Sequence, residues 1–114
     1  AILVDFHAEA TGEKRAMGFY LDGRVTAVIG THTHVQTADE QILPKGTAYL
    51  TDAGMVGPEQ SVLGVKPEAV LKRHLTHMPS RFETADGPCR IQGILLNVEA
   101  KSGKVNKVTR VNLV

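Results

Sequence analysis

Two short apolar runs on either side of a helical stretch most constrain what this chain can fold into. Ala1–Phe6 is apolar apart from Asp5, and Val25–Ile29 is rich in β-branched residues, so each is predicted to form a buried strand. Between them, Glu13–Leu21 has helical periodicity and follows Thr11, a residue suited to the N-cap. Its apolar stripe consists of Ala16, Met17, Tyr20 and Leu21. A strand, a helix and a second strand predict an α/β fold with a parallel, right-handed βαβ unit.

Histidines follow both of these predicted strands. His7 comes directly after the first, and His32 and His34 follow the second in the segment Gly30-Thr31-His32-Thr33-His34. The carboxyl ends of parallel strands meet at one edge of a sheet, where open α/β folds bind ligands. In extended backbone, residues two apart point to the same side, so His32 and His34 are expected to face a metal ion together. Loop histidines that bond only to the backbone are the alternative.

Two carboxylates flank His7, and their roles stay open at this point. Asp5 is expected to face the same side as His7. Asp5 and Glu9 are each interpreted as a metal ligand, an acceptor for an imidazole N–H, or a solvated carboxylate. For Glu9, a position near the start of a helix offers a further explanation, since an acid is favourable there.

The remainder of the chain predicts one more strand, a helix and antiparallel strands. Thr47–Thr51 is predicted as a strand, and Asp52–Pro58 as a glycine-rich loop whose N–H groups are candidates to hold phosphate, although it matches no nucleotide-binding fingerprint. Pro67–Met78 is predicted as a helix. Arg81–Thr84, Arg90–Glu99 and Val105–Val114 are predicted strands, the last two joined by a hairpin turn at Lys101-Ser102-Gly103-Lys104.

The remaining reactive side chains give no further catalytic motif. His74 and His77 lie three apart on the predicted Pro67–Met78 helix, among Leu71, Leu75 and Met78, and are interpreted as ordinary surface or partly buried histidines. No nucleophile motif surrounds Ser61, Thr31 or Cys89, which disfavours covalent acyl transfer.

The length of the chain limits it to one domain, and its composition excludes several function classes. At 114 residues the chain is one domain or less, and its net charge of +1 gives no electrostatic case for nucleic-acid or membrane binding. No apolar run approaches the ~20 residues that span a bilayer. A single cysteine, Cys89, fits a reducing compartment, so a cytoplasmic location is expected. The chain begins without methionine inside a strand pattern, and we therefore expect it to be part of a larger protein.

Four segments of the chain resemble a known family. They resemble the carboxyl-terminal half of the YmdB-like metallophosphoesterases, which are bacterial calcineurin-like phosphodiesterases associated with 2′,3′-cyclic nucleotides. The segments that carry the resemblance are Val4–Thr11, Gly30–Asp39, Ile42–Tyr49 and Thr51–Met55. Residues 1–114 are then expected to be the carboxyl-terminal part of a single metallophosphoesterase domain, with the amino-terminal half absent.

The resemblance implies both a fold and a divided active site. The fold is half of an α/β/β/α sandwich, in which a βαβ unit is followed by a helix and antiparallel C-terminal strands. The site would hold two divalent or trivalent ions (iron, manganese or zinc), with His7 and His32 on one and His34 on the other. The other ligands and the proton-donating histidine belong to the absent half, so no catalytic or substrate-binding residue is assigned. The chain alone is expected to bind metal partially and to hydrolyse little.

Three alternatives accompany this reading. One is a capsule-biosynthesis-type metallophosphoesterase relative, with similar metal-site histidines and a different substrate. Another is a non-catalytic α/β module that binds a partner or holds one structural zinc ion. The third is a product that self-associates where the amino-terminal half would pack, since strand Ala1–Phe6 would expose apolar surface or an unpaired edge. The expected partners are accordingly a small phosphodiester and further copies of the chain.

Overall fold

The computed structural model describes residues 1–114 and contains seven strands and two helices. In chain order the elements are β1 (Leu3–His7), α1 (Thr11–Leu21), β2 (Ala27–Thr31), β3 (Gln41–Ile42), β4 (Ala48–Leu50), β5 (Val56–Pro58), α2 (Pro67–Thr76), β6 (Cys89–Val98) and β7 (Val105–Leu113).

A four-stranded sheet, which we call sheet A, contains the predicted βαβ unit. Its strand order is β1-β2-β4-β3, with β1, β2 and β4 parallel and the short β3 antiparallel to β4. Helix α1 connects the parallel neighbours β1 and β2, which confirms the βαβ unit. His7 pairs with Thr31 in this register, so both strands end at the same level. β1 forms an end of the sheet and exposes alternate residues, so the prediction that it is covered on both faces was wrong.

The remaining strands form an antiparallel three-stranded sheet, sheet B, in the order β5-β6-β7. β6 and β7 form the predicted hairpin, and its turn contains Gly103 at φ +71°, a conformation that glycine adopts easily. β5 lies inside the segment that was predicted to be an irregular loop. It pairs with the start of β6 through Val56 and Ile91, which ties the loop after β4 to sheet B.

Two apolar clusters define the layers of the molecule. One lies between the sheets, where side chains from β2 and β4 meet side chains from β6 and β7; its buried members are Ala27, Ile29, Ala48, Leu50 and Val105. The other lies between sheet A and α1, and its buried members are Val28, Leu43 and Tyr49. The resulting helix–sheet–sheet arrangement agrees with half of an α/β/β/α sandwich.

Helix α1 turns only part of its predicted apolar stripe inward: Met17 and Leu21 pack against the cluster on sheet A, whereas Ala16 and Tyr20 are exposed. Its buried residues are Lys14 and Gly18, whereas Tyr20 is 70% exposed. Gly18 decides this orientation, because a Cβ there would lie only 2.6 Å from the ring of the buried Tyr49. The N-cap is Ala10 and not Thr11, which is the first residue of the helix.

Helix α2 begins at Pro67 as predicted but buries none of its residues. It ends at Thr76, and His77 caps it in the left-handed conformation at φ +55°. Its predicted apolar residues Leu71, Leu75 and Met78 are all exposed. Arg81–Thr84, predicted as a strand, contributes only one isolated bridge, from Thr84 to Val65. Neither α1 nor α2 has the length and apolar character needed to cross a membrane.

Candidate metal centre

The ends of β1 and β2 bring two of the three predicted ligands into contact. His7 is the last residue of β1, and His32 directly follows the last residue of β2. His7 Nε2 lies 3.1 Å from His32 Nδ1, and the two rings meet edge to face, with centroids 5.0 Å apart and planes at 77°. The prediction that His7 and His32 come together at one edge of the sheet is therefore confirmed.

A chain of hydrogen bonds fixes which nitrogen of His7 carries a proton. The Thr31 hydroxyl donates to Asp5 Oδ1 at 3.0 Å, and the same hydroxyl oxygen lies 3.2 Å from His7 Nδ1. Because the single hydroxyl proton points to the carboxylate, the hydroxyl oxygen must accept a proton from Nδ1. Neutral His7 thus keeps an unprotonated Nε2, and that lone pair faces His32 Nδ1. Asp5 consequently acts on His7 through Thr31.

The spacing of the two facing nitrogens fits a shared metal ion. Imidazole nitrogens bind zinc at about 2.0–2.1 Å, so two of them on one ion at angles of 90–110° lie about 2.9–3.4 Å apart. The 3.1 Å between His7 Nε2 and His32 Nδ1 falls within that range. A neutral imidazole with its other nitrogen held by a hydrogen-bond acceptor is the form in which histidine binds metals. The donor set of this pair therefore suits an ion, with further ligands required to complete its coordination.

His34 lies apart from this pair and has a different environment. Its Nδ1 donates to the Leu63 carbonyl oxygen at 3.2 Å, which leaves Nε2 as its unprotonated nitrogen. It makes no hydrogen bond or ring contact with His7 or His32, and no group of three or more His, Cys, Asp or Glu side chains is arranged to hold a metal ion. His34 instead borders a cavity on the side of sheet B, whose lining includes Met55, Ser61, Leu63, Arg90 and Gln92.

The backbone of the histidine segment explains this separation. His32 has φ +132° and His34 has φ +63°, values that residues with a side chain rarely adopt. The expectation of extended backbone, with both rings on one side, was therefore wrong. Non-glycine residues in such conformations cost about 1–3 kcal/mol each and persist where the surrounding structure enforces them, which is common at functional sites.

Buried groups beneath the segment hold it in place. Asp52 follows Thr51 at the end of β4 and is fully buried; it accepts hydrogen bonds from the backbone N–H groups of Thr33 at 2.8 Å and Gly54 at 3.0 Å. It also accepts one from Lys14 Nζ of α1 at 3.1 Å. Burial raises the pKa of Asp52, but these hydrogen bonds outweigh burial and hold the pKa below its usual value.

Sequence reasoning missed Lys14 and Asp52, and only one of the two left a signal. Asp52 directly follows the predicted strand Thr47–Thr51, much as His7 and His32 follow theirs, so its position marked it as a candidate of the same kind. Lys14 gave no such signal, since a lysine in an amphipathic helix is ordinarily solvated.

The glycine-rich loop after β4 does not offer its N–H groups to phosphate. The N–H groups of Ala53, Gly54 and Met55 donate to Gly30 O, Asp52 Oδ1 and Gln92 Oε1 respectively. Positive φ occurs at Gly54, at +85°, and not at Gly57. The loop therefore serves to connect the two sheets.

The other candidate residues form no hydrogen bond with His7 or His32. Glu9 is exposed. His74 and His77 are exposed on α2 and at its cap, in agreement with their interpretation as ordinary histidines. Cys89 is a free, exposed cysteine at the start of β6.

Comparison with known proteins gives a consistent set of relatives. The family model described as "YmdB-like protein" matches residues 1–111. The chain is 52% identical over 110 residues to a 2′,3′-cyclic-nucleotide 2′-phosphodiesterase of Bacillus subtilis, covering 96% of this chain and 42% of that protein. A crystal structure of a hypothetical protein from Thermus thermophilus superposes with a TM-score of 0.90 at 46% identity, covering 96% of this chain and 43% of the other.

A second solved structure agrees with the first. The crystal structure described as a novel phosphatase of Mycoplasma pneumoniae superposes with a TM-score of 0.90 at 41% identity, covering 96% of this chain and 40% of the other. The chain therefore spans about two fifths of the length of the proteins that it matches.

Proposed function

Because the chain belongs to the YmdB-like family, we propose that it supplies part of the metal centre of a phosphodiesterase acting on 2′,3′-cyclic nucleotides. The substrate class is taken from the Bacillus subtilis relative, which is named for this activity and is 52% identical to the chain. The observation that carries the proposal is the contact of His7 Nε2 with His32 Nδ1 at 3.1 Å, at the ends of two parallel strands.

His7 and His32 would hold one ion, and His34 would hold a second through its Nε2. Bound iron, manganese or zinc ions would supply the activation of water and the stabilisation of charge on the phosphate. Three neutral imidazoles contribute no negative charge, so carboxylates from outside this chain are expected to complete both ions. We therefore expect the chain alone to bind metal weakly and to hydrolyse little.

The chain's own residues would prepare the centre before any substrate arrives. Asp5 and Thr31 hold the proton of His7 on Nδ1, which keeps Nε2 free as a ligand. The Leu63 carbonyl does the same for His34 by accepting from its Nδ1. The cavity beside His34 lies on the side of sheet B, where part of a substrate could be received next to the second ion.

Metal content tests the proposal directly. We expect zinc or manganese bound by the chain to fall at least tenfold in His32→Ala and to stay unchanged in His74→Ala, measured by elemental analysis after equilibrium dialysis. His74 is the matched control because it is an exposed histidine on α2, away from the pair. Equal metal content in both variants would refute a site built on His32.

Hydrolysis and stability distinguish a catalytic site from a structural one. In a longer protein that contains this chain, His32→Ala should abolish hydrolysis of a 2′,3′-cyclic nucleotide while the free energy of unfolding without metal changes little. A structural zinc site predicts the reverse, since folding stability would be lost together with the metal. Rapid hydrolysis of other phosphoesters and none of cyclic nucleotides would favour a relative with a different substrate.

A further inference from the structure

Two opposite charges are buried directly beneath the histidine segment. Lys14 Nζ of α1 lies 3.1 Å from Asp52 Oδ2, and the two side chains are 1% and 0% exposed. Burying an ion pair costs desolvation that the attraction often fails to offset, so such a pair is weak evidence for a contribution to stability. The burial of the Lys14–Asp52 ion pair beneath the histidines therefore needs an explanation other than a contribution to stability.

The contacts of Asp52 supply that explanation. Its Oδ2 accepts both the Lys14 ammonium and the backbone N–H of Thr33. Thr33 lies between His32 and His34, both of which have positive φ. The backbone conformation of both histidines is thus tied, at the residue between them, to a carboxylate that the helix holds from below.

We propose that Lys14 and Asp52 are positioning residues that enforce the left-handed backbone of the His32–His34 segment and so bring His32 Nδ1 to His7 Nε2. Lys14 fixes the carboxylate, the carboxylate fixes the Thr33 N–H, and the Thr33 N–H sets the direction of the two flanking histidines. Neither residue touches a ligand of the proposed ions, so both act through the backbone. The positioning of His32 by Lys14 and Asp52 does not depend on the proposed function. Only its consequence, the binding of metal, rests on that function.

A pair of double variants separates the N–H contact from the charges. Lys14→Met/Asp52→Asn removes both charges and keeps an oxygen that can accept from Thr33. Lys14→Met/Asp52→Leu removes the same charges and leaves an apolar side chain that has the same branched arrangement of heavy atoms and no acceptor. Any difference between the two variants therefore reports the loss of the side-chain acceptor at position 52, which serves the N–H groups of Thr33 and Gly54, and not the loss of the charges.

The first measurement is made without metal, by nuclear magnetic resonance. We expect Lys14→Met/Asp52→Asn to retain slow exchange of the Thr33 amide and the cross-peak between the His7 and His32 rings. We expect Lys14→Met/Asp52→Leu to lose both while the amides of β2 and β4 stay protected. A merely structural role for the pair predicts that both variants keep the histidine contact, and that result would overturn the proposal.

The second measurement uses Co²⁺ as the probe, titrated into the same variants. We expect its affinity to be at least tenfold weaker in Lys14→Met/Asp52→Leu than in Lys14→Met/Asp52→Asn, the range seen when supporting partners of ligands are removed. Absence of Co²⁺ binding in every variant and in the wild type would count against the proposed function, and the metal-free measurement would still decide the positioning role.

The wild type provides a check that needs no variant. If Asp52 holds the Thr33 N–H as the structure has it, that amide must exchange as slowly as the amides of β2. Exchange at the rate of an open loop would overturn the proposal even if Lys14→Met/Asp52→Leu fails to fold.

Discussion

Gly30 is the residue at which the site tolerates a side chain least. It is the fourth residue of β2 and lies two positions before His32. A Cβ at this position would stand 1.8 Å from the Thr51 carbonyl oxygen and 2.9 Å from Lys14 Cδ, so backbone would have to move. The close approach of β2 to the end of β4 therefore depends on the absence of a side chain, and it is this approach that puts Asp52 beneath Thr33.

Gly30→Ala should lower the free energy of unfolding by about 3 kcal/mol or more, because the clash is with backbone and cannot be relieved by a rotamer. Chemical denaturation monitored by circular dichroism measures the change. The matched control is Gly93→Ala in β6, where a Cβ would meet nothing within 4 Å. This control should leave the free energy of unfolding unchanged or raise it by up to about 1 kcal/mol. Equal effects of the two substitutions would contradict the argument.

At the scale of elements, the strands and helices of this chain differ sharply in how far they are buried and in whether tertiary contacts or local signals define them. Every residue of β4 is buried, whereas α2 buries none and is defined by its local signals, Pro67 at the start and left-handed His77 at the end. β4 is further tied by Asp39, which accepts from the Thr37 hydroxyl and from the Thr51 hydroxyl and N–H. Asp39 thus anchors the segment that returns from the histidines to the sheet.

The anchoring of β4 by Asp39 predicts a pH dependence of stability. Burial raises the pKa of Asp39, but hydrogen bonds from Thr51 and Thr37 outweigh burial and lower the pKa below its ordinary 3.8. A carboxyl whose folded pKa lies below its unfolded pKa stabilises the protein above the unfolded value and loses that contribution as pH falls through the folded value. The free energy of unfolding should therefore fall as the pH drops below about 4.

Asp39→Asn tests this dependence by denaturant unfolding between pH 7 and pH 2.5. The variant should be less stable at pH 7, and its stability should fall less steeply in acid, by up to about 1.4 kcal/mol per pH unit for one carboxyl. Other charged groups near Asp39 are Arg15, 3.9 Å away, and Glu40, the next residue along the chain. An acid slope identical to that of the wild type would show that Asp39 does not contribute.

At the scale of the whole molecule, the layers are unequally covered. Sheet A is packed on sheet B on one face and on α1 on the other, but its end strand β1 has no neighbour on its outer side. Large apolar side chains lie exposed at this end and on α1, among them Ile2, Leu3, Phe19 and Tyr20. An unpaired strand edge with exposed apolar residues favours pairing with another chain. We therefore expect the chain to self-associate through β1.

Sedimentation analysis over a hundredfold range of concentration tests this expectation. Leu3→Lys places a charge on the exposed edge strand and should weaken self-association at least tenfold. Leu75→Lys is the control, since Leu75 is 81% exposed on α2 and lies outside sheet A. A wild-type monomer at all concentrations would contradict the prediction, as would equal effects of the two variants.

The sequence by itself determined the longer elements, though not the short strands β3 and β5, and it determined the edge at which His7 and His32 meet. Apolar runs, helix periodicity and the order of strand, helix and strand are local patterns, and parallel strands necessarily end at one edge. The hairpin of β6 and β7 followed from the same kind of signal. The resemblance to a family was also readable from segments of the sequence, and the family match over residues 1–111 confirms it.

Only the tertiary structure decided which contacts those elements make. The bonds from Thr31 to Asp5, from Thr33 to Asp52 and from Lys14 to Asp52 join residues 19 to 38 positions apart. Periodicity specifies the direction of a side chain within its own element and carries no information about its partner across the fold. The left-handed backbone at His32 and His34 also depends on a contact that is distant in sequence. This conformation is strained locally, and it is imposed by a carboxylate that follows another strand.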